Sequence, residues 1–168
     1  GEVMGIDYTM GMAFNKSQIA AGNRLPSGGT VFISLNDRDK RKMGTIGKDI
    51  AALGFNLIAT EGTAALLREQ GIEVERVFKV GERRPHIVDR MINGDVHWVI
   101  NTPLGEESMY DEKAIRRSAL ERGITHMTTL AAARAAVMAL KAERDGKMTV
   151  RSLQEYHADA GARPPLAT

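Results

Sequence analysis

Short apolar runs alternate along this chain with segments whose apolar residues recur every three or four positions, and the alternation becomes regular after residue 30. Val31-Phe32-Ile33-Ser34-Leu35 is an almost unbroken apolar run, the pattern of a strand covered on both faces in a parallel sheet. Met43, Ile46, Ile50 and Leu53 follow at helical spacing, which predicts a helix that starts at Asp39 and is stopped by Gly54. The same reading gives strands over 55–59, 74–78, 96–100 and 124–127, and helices over 63–70, 86–92, 110–122 and 130–142. Ahead of this region, residues 8–21 predict a helix anchored by Met12, Phe14 and Ile19, and Leu25-Pro26-Ser27-Gly28-Gly29 predicts a break.

Strict alternation with short connections implies parallel strands joined by right-handed crossovers. The expected fold is therefore α/β, a doubly wound five-stranded parallel sheet with helices on both faces. Residues 1–26 are read as a connecting helix and the end of a preceding unit, 27–158 as the domain, and 159–168, with Pro164-Pro165, as a flexible tail. In such sheets ligands sit beyond the carboxyl ends of the strands, so the positions of interest are 36–40, 60–63, 79–84 and 101–105.

Composition narrows the classes. A length of 168 residues suits one domain, and the 23 Lys and Arg against 21 Asp and Glu are interleaved, which argues against nucleic-acid binding by bulk charge. The absence of cysteine excludes disulfides and thiolate metal sites and is compatible with a reducing compartment. No run of ~18 apolar residues is present, so no membrane span is expected. The first residues carry neither an initiator Met nor a basic and then apolar leader, so the chain reads as a cut from something longer rather than as one bearing a signal peptide.

Thr60-Glu61-Gly62-Thr63 stands where a strand gives way to a helix, which brings free backbone N–H groups and two hydroxyls to one spot and lets an anion approach at Gly62. The same tetrapeptide serves equally well if Thr60 or Thr63 is only a helix cap. Lys40 and Lys79 follow two different strands at the same predicted edge, where two ammonium groups would flank a dianion; each is otherwise an ordinary solvated lysine. Asn101-Thr102-Pro103 ends a strand and Asp111 opens the next helix, giving amide and carboxylate groups able to read a nucleobase or ribose, or merely a turn and a cap. The basic, turn-rich run 79–86 is either a cover for a bound anion or a solvated connection.

Catalytic patterns are weak. His86, His97, His126 and His157 lack metal-ligand spacing, Ser34 has no adjacent base, and neither Gly-x-Ser-x-Gly nor a phosphate-cradling Gly-x-Gly-x-x-Gly or Walker-type loop is present. The nine Met residues are scattered and read as core filling.

Glu2-Val3-Met4-Gly5, residues 31–40, Ala59-Thr60-Glu61-Gly62-Thr63-Ala64, Arg84-Pro85-His86-Ile87, Ile100-Asn101-Thr102 and Ile115-Arg116-Arg117-Ser118-Ala119-Leu120, taken in order, resemble the end of the second ATP-grasp half and the C-terminal regulatory domain of carbamoyl-phosphate synthase large chains. The resemblance covers all but the tail. It implies the methylglyoxal-synthase-like fold and a cytoplasmic domain that binds UMP or IMP as effector and has no catalytic residues of its own. Lys40, Thr60, Gly62, Thr63 and Lys79 would then meet the effector phosphate, and Ser34, Asn101 and Asp111 the nucleoside, with Ser34 also near the phosphate. Thr128 falls at a position that contacts ornithine in the family. The partners implied are the synthetase half of the same chain and a glutaminase small chain; ATP with Mg or Mn belongs to the synthetase part, and this segment needs no cofactor.

Two positions depart from that pattern. Pro103 replaces a threonine that often contributes to the nucleotide site, and Met127 replaces an aspartate beside the ornithine amine, where a thioether cannot neutralise an ammonium. Two other readings remain: a methylglyoxal synthase, a lyase that would need a carboxylate in the phosphate pocket, and a self-associating module that has lost its effector.

Overall fold

The computed structural model describes residues 2–103, 109–146 and 148–162. Its centre is one parallel sheet of β1 (Thr30–Leu35), β2 (Asn56–Ala59), β3 (Glu75–Arg76), β4 (Trp98–Thr102) and β5 (Thr125–Met127), in the order β3-β2-β1-β4-β5. Every pairing is parallel, and β1 is central, with Val31 level with both Leu57 and Trp98. The helices are α1 (Met10–Ala20), α2 (Asp37–Lys40), α3 (Gly44–Ala52), α4 (Glu61–Glu69), α5 (Ile87–Ile92), α6 (Met109–Glu121), α7 (Leu130–Asp145) and α8 (Leu153–Ala162).

Alternate residues of the strands feed two cores. Val31, Ile33 and Leu35 of β1, Leu57 and Ala59 of β2, and Trp98 and Ile100 of β4 pack under α3, α4 and α7, joined by Met43, Ile50, Leu67 and Leu140. Phe32, Ile58 and Val99 point the other way, onto Ile87 and Met91 of α5 and Ile115 and Ala119 of α6. Burial on both faces explains why these strands read as apolar runs and not as alternating ones. The expected doubly wound α/β fold is what forms.

Several boundaries move for local reasons. The helix expected from Asp39 is two: the Asn36 side chain accepts from the N–H groups of Arg38 and Asp39 and starts α2 early, and a turn closed by Lys42 N–H on Asp39 O precedes α3. The third strand shrinks to Glu75–Arg76 because it is an edge, although Val74 and Val77 on either side of it are buried. The fourth shifts two residues onward, since Asn101 and Thr102 pair with Ser34 and Leu35. Gly54 and Gly71 end α3 and α4 with φ of 79° and 76°, the left-handed conformation that the sequence reading requires of a stop.

Helix α8 was not foreseen, and residues 159–162, expected in a flexible tail, lie in it; residues 163–168 lie outside the described residues. Tyr156 of α8 is buried, accepts from Lys16 Nζ at 3.0 Å and donates to Ile6 O at 3.1 Å, and its ring lies 5.1 Å from that of Tyr8. Helix α1 lies along α7, with Phe14 and Leu25 packed against the main core. Among the described residues no helix is long and apolar enough to cross a membrane.

The α1–α7 contact depends on a missing side chain: a Cβ on Gly11 would stand 2.4 Å from the Met138 carbonyl oxygen, a backbone atom that cannot step aside. Gly11→Ala is therefore expected to lower stability by ~1–3 kcal/mol, the usual cost of overpacking. Gly28→Ala, where a Cβ meets nothing within 4 Å, should stay within ~0.5 kcal/mol in the same urea-unfolding series.

Candidate functional site

The chain leaves β1 toward β2 on one side and leaves β4 toward β5 on the other, with α3 and α4 on one face and α5 and α6 on the opposite one. A crevice must open between the carboxyl ends of β1 and β4, where the connections diverge, and this is where doubly wound sheets take ligands. A cleft of about 510 Å³ lies there, lined by Ser34, Leu35, Asn36, Asp37, Lys40, Lys79, Asn101, Thr102, Pro103 and Asp111. Its volume suits a small-molecule ligand. A recess of about 40 Å³ adjoins it on the α5–α6 face, sharing Ser34, Lys79, Asn101 and Asp111 and adding Thr60 and Glu112.

Residues distant in sequence thus meet. Lys40, Lys79, Ser34, Asn101 and Asp111 line one cleft, and Thr60 enters its recess. Gly62 joins them by its bareness, because the Nζ of Lys40 lies 2.9 Å from where its Cβ would be. Thr63 has a different duty: it is fully buried, and its Oγ1 accepts from Leu35 N–H at 3.1 Å, tying α4 to β1. Thr60 occupies the N-cap position of α4 but makes no side-chain cap; its hydroxyl faces Thr63 Oγ1 at 3.4 Å. The N–H groups of Thr63 and Ala64 turn back to Thr60 O, leaving those of Glu61 and Gly62 at the helix end without an intrahelical acceptor.

Charge in the cleft is finely balanced. Lys40 Nζ is held 2.6 Å from Asp37 Oδ1, and the ammonium, by hydrogen bond and by charge, keeps the Asp37 carboxyl below its ordinary range. Glu61, which stands beside the expected phosphate position, is turned to Arg76 Nε at 2.6 Å. Asn36 went unrecognised in the sequence beyond its place after a strand. Its amide donates to Thr102 O at 3.0 Å, to Thr102 Oγ1 at 3.1 Å and to Asp39 Oδ2 at 2.8 Å, pinning α2 to the end of β4.

Thr128 does not enter this cleft. It lines a second cavity, about 590 Å³, with Asp39, Lys42 and Arg134, and the two cavities share Asn36, Thr102 and Pro103 as a wall. Met127 is buried in the main core under α7.

Two of the histidines have structural roles. His86 caps α5 in a reciprocal pair with Asp89, and His97 Nδ1 accepts from Thr30 N–H. His126 is half-buried with no partner for Nε2 among the described residues; burial, and then the charge of Arg116, push its pKa down.

A carboxyl-end crevice lined by two lysines, two aspartates and two asparagines marks the place where a doubly wound α/β domain takes a ligand. The MGS-like domain family model matches residues 42–128. The chain is 45% identical over 95% of its length to a carbamoyl phosphate synthase large chain of Archaeoglobus fulgidus, and 48% identical over 94% to one of Gemmatimonas aurantiaca. It is 44% identical over 94% to a protein of Aquifex aeolicus named carbamoyl phosphate synthase large chain, C-terminal section. It spans only 15%, 14% and 30% of those proteins. The chain belongs to the MGS-like domain family, in the form carried by the C-terminal part of carbamoyl phosphate synthase large chains.

Replacing Thr63 by Val keeps its volume and leaves the buried Leu35 N–H without an acceptor. Thr63→Val should cost ~1–3 kcal/mol, and Thr60→Val less, since the contact it loses is a long one; denaturant midpoints of the two variants measure the difference.

Proposed function

We propose that the cleft between β1 and β4 binds the phosphate and nucleoside of a UMP- or IMP-type effector, and that its occupancy regulates carbamoyl phosphate synthesis by the longer chain. One observation carries this reading: Lys40 and Lys79, 39 positions apart and following different strands, line the same cleft as Ser34, Asn101 and Asp111. Lys40, Lys79, Gly62 and the free N–H groups of α4 take the phosphate, with Thr60 at the recess, and Thr63 acts by holding α4 against β1. Ser34, Asn101 and Asp111 face the nucleoside.

In this reading the domain has no catalytic residue, and the reaction, which joins bicarbonate, glutamine-derived ammonia and the phosphate of ATP with its Mg or Mn, occurs in the synthetase part with a glutaminase small chain. The product serves arginine and pyrimidine biosynthesis in the cytoplasm. Effector binding shifts a pre-existing equilibrium of the synthetase half, a coupling of ~1–3 kcal/mol that acts reciprocally. Ornithine is not expected at Thr128, because Met127 supplies no carboxylate on the cavity side.

A methylglyoxal synthase reading retains one point in its favour, since Asp37 and Asp111 put carboxylates in the cleft. It predicts methylglyoxal release from dihydroxyacetone phosphate; the effector reading predicts none, and a colorimetric assay separates the two. Calorimetry with UMP and IMP tests the effector reading directly. Lys40→Met should weaken binding roughly 10- to 100-fold, the value of a charge-assisted hydrogen bond, and absence of heat from the unmodified chain at millimolar nucleotide would remove it.

A further inference from the structure

The ammonium expected to meet the effector phosphate is already occupied. Lys40 Nζ lies 2.6 Å from Asp37 Oδ1, one turn earlier on α2. The two partners differ in freedom: the Asp37 side chain is 94% exposed, whereas that of Lys40 is 24% exposed, with its Nζ and Cε the atoms next to Gly62. Asp37 is therefore the member that can leave, and an anion entering the cleft arrives where its carboxylate now stands.

The charge count points the same way. Among the described lining residues, Lys40 and Lys79 are balanced by Asp37 and Asp111, so the cleft as it stands has no net attraction for an anion. Once Asp37 turns to solvent, the local balance is one positive charge. A singly charged carboxylate that displaces Asp37 exchanges one like ion pair for another and gains little. A phosphomonoester dianion gains more, because its second charge also feels Lys79 and the N–H groups of Glu61 and Gly62.

We propose that Asp37 is an internal competitor for Lys40, a specificity-determining residue that lowers affinity for every anion and so reserves the cleft for phosphate dianions. The proposal rests on the phosphate-binding reading given above. An ion pair this exposed is a weak one, so its removal should tighten binding by a factor of only roughly two to five.

The test compares the unmodified chain with Asp37→Asn and Asp39→Asn. Asp39 is a carboxylate of the same short helix that faces the second cavity and Asn36, not Lys40, so its replacement removes the same charge without freeing the ammonium. Inorganic phosphate is titrated at neutral pH and low ionic strength by phosphorus NMR, with acetate as a singly charged competitor. Asp37→Asn should bind phosphate roughly two- to fivefold more tightly and let acetate compete more effectively, while Asp39→Asn shifts affinity by less than half as much. Equal tightening in both variants makes the effect one of general field and overturns the competitor role, as does unchanged or weaker binding in Asp37→Asn. Phosphate binding in the unmodified chain with no gain in Asp37→Asn sinks this inference alone. No phosphate binding in any of the three removes both it and the effector reading.

Discussion

The pairing of β1 with β4 is the constraint from which the rest of the molecule follows. Five successive residues, from Val31 with Trp98 to Leu35 with Thr102, lock the two strands in parallel register at the centre of the sheet. A slip of one residue would turn Val31, Ile33 and Leu35 away from α3 and α7 and drive Phe32 and Ser34 into the larger core, so burial on both faces fixes the register firmly. Because the chain leaves these neighbours in opposite directions, the same pairing leaves a gap at their carboxyl ends that no connection can fill.

The period of two along a strand then divides labour. On β1, Phe32 packs on the α5–α6 core, and Ser34, two residues onward on the same face, reaches the cleft; on β4, Val99 and Asn101 repeat the arrangement. On these two strands polarity therefore appears on this face at their carboxyl ends, beside the cleft. Thr63 shows that polarity at such an edge is also structural, since its hydroxyl serves the backbone of β1 and not the cleft. Asn36 does both, capping α2, fastening β4 and forming the wall between two cavities. Helix α2 sends Lys40 into one cavity and Asp39 into the other, so whatever moves this short turn is felt on both sides of the wall.

The electrostatics are restrained in the same way. Glu61 would oppose a phosphate at the start of α4, and its pairing with Arg76 of β3 turns it aside. Asp37 and Asp111 offset the two lysines, so the charge of the cleft, like the formal charge of +2 over the whole chain, is close to balanced.

The sequence by itself determined the elements and their class. Apolar runs such as 31–35, helical spacing at Met43, Ile46 and Ile50, and stops at Gly54 and Gly71 are local properties, governed by residues within a turn or two of one another, and α/β alternation follows from them. It also marked Thr60, Lys79 and Asn101, because each directly follows or ends a strand, and Lys40, which lies in the short stretch after one. It missed α8, whose docking depends on Tyr156 meeting Lys16 and Ile6 from the far end of the chain, and it could not tell Thr63 from Thr60, since only the distant Leu35 N–H separates them. Strand order, the place of the crevice and the separation of Thr128 from the other site residues were decided by the tertiary structure. Each depends on which buried faces meet across the sheet, and no spacing along the chain encodes that.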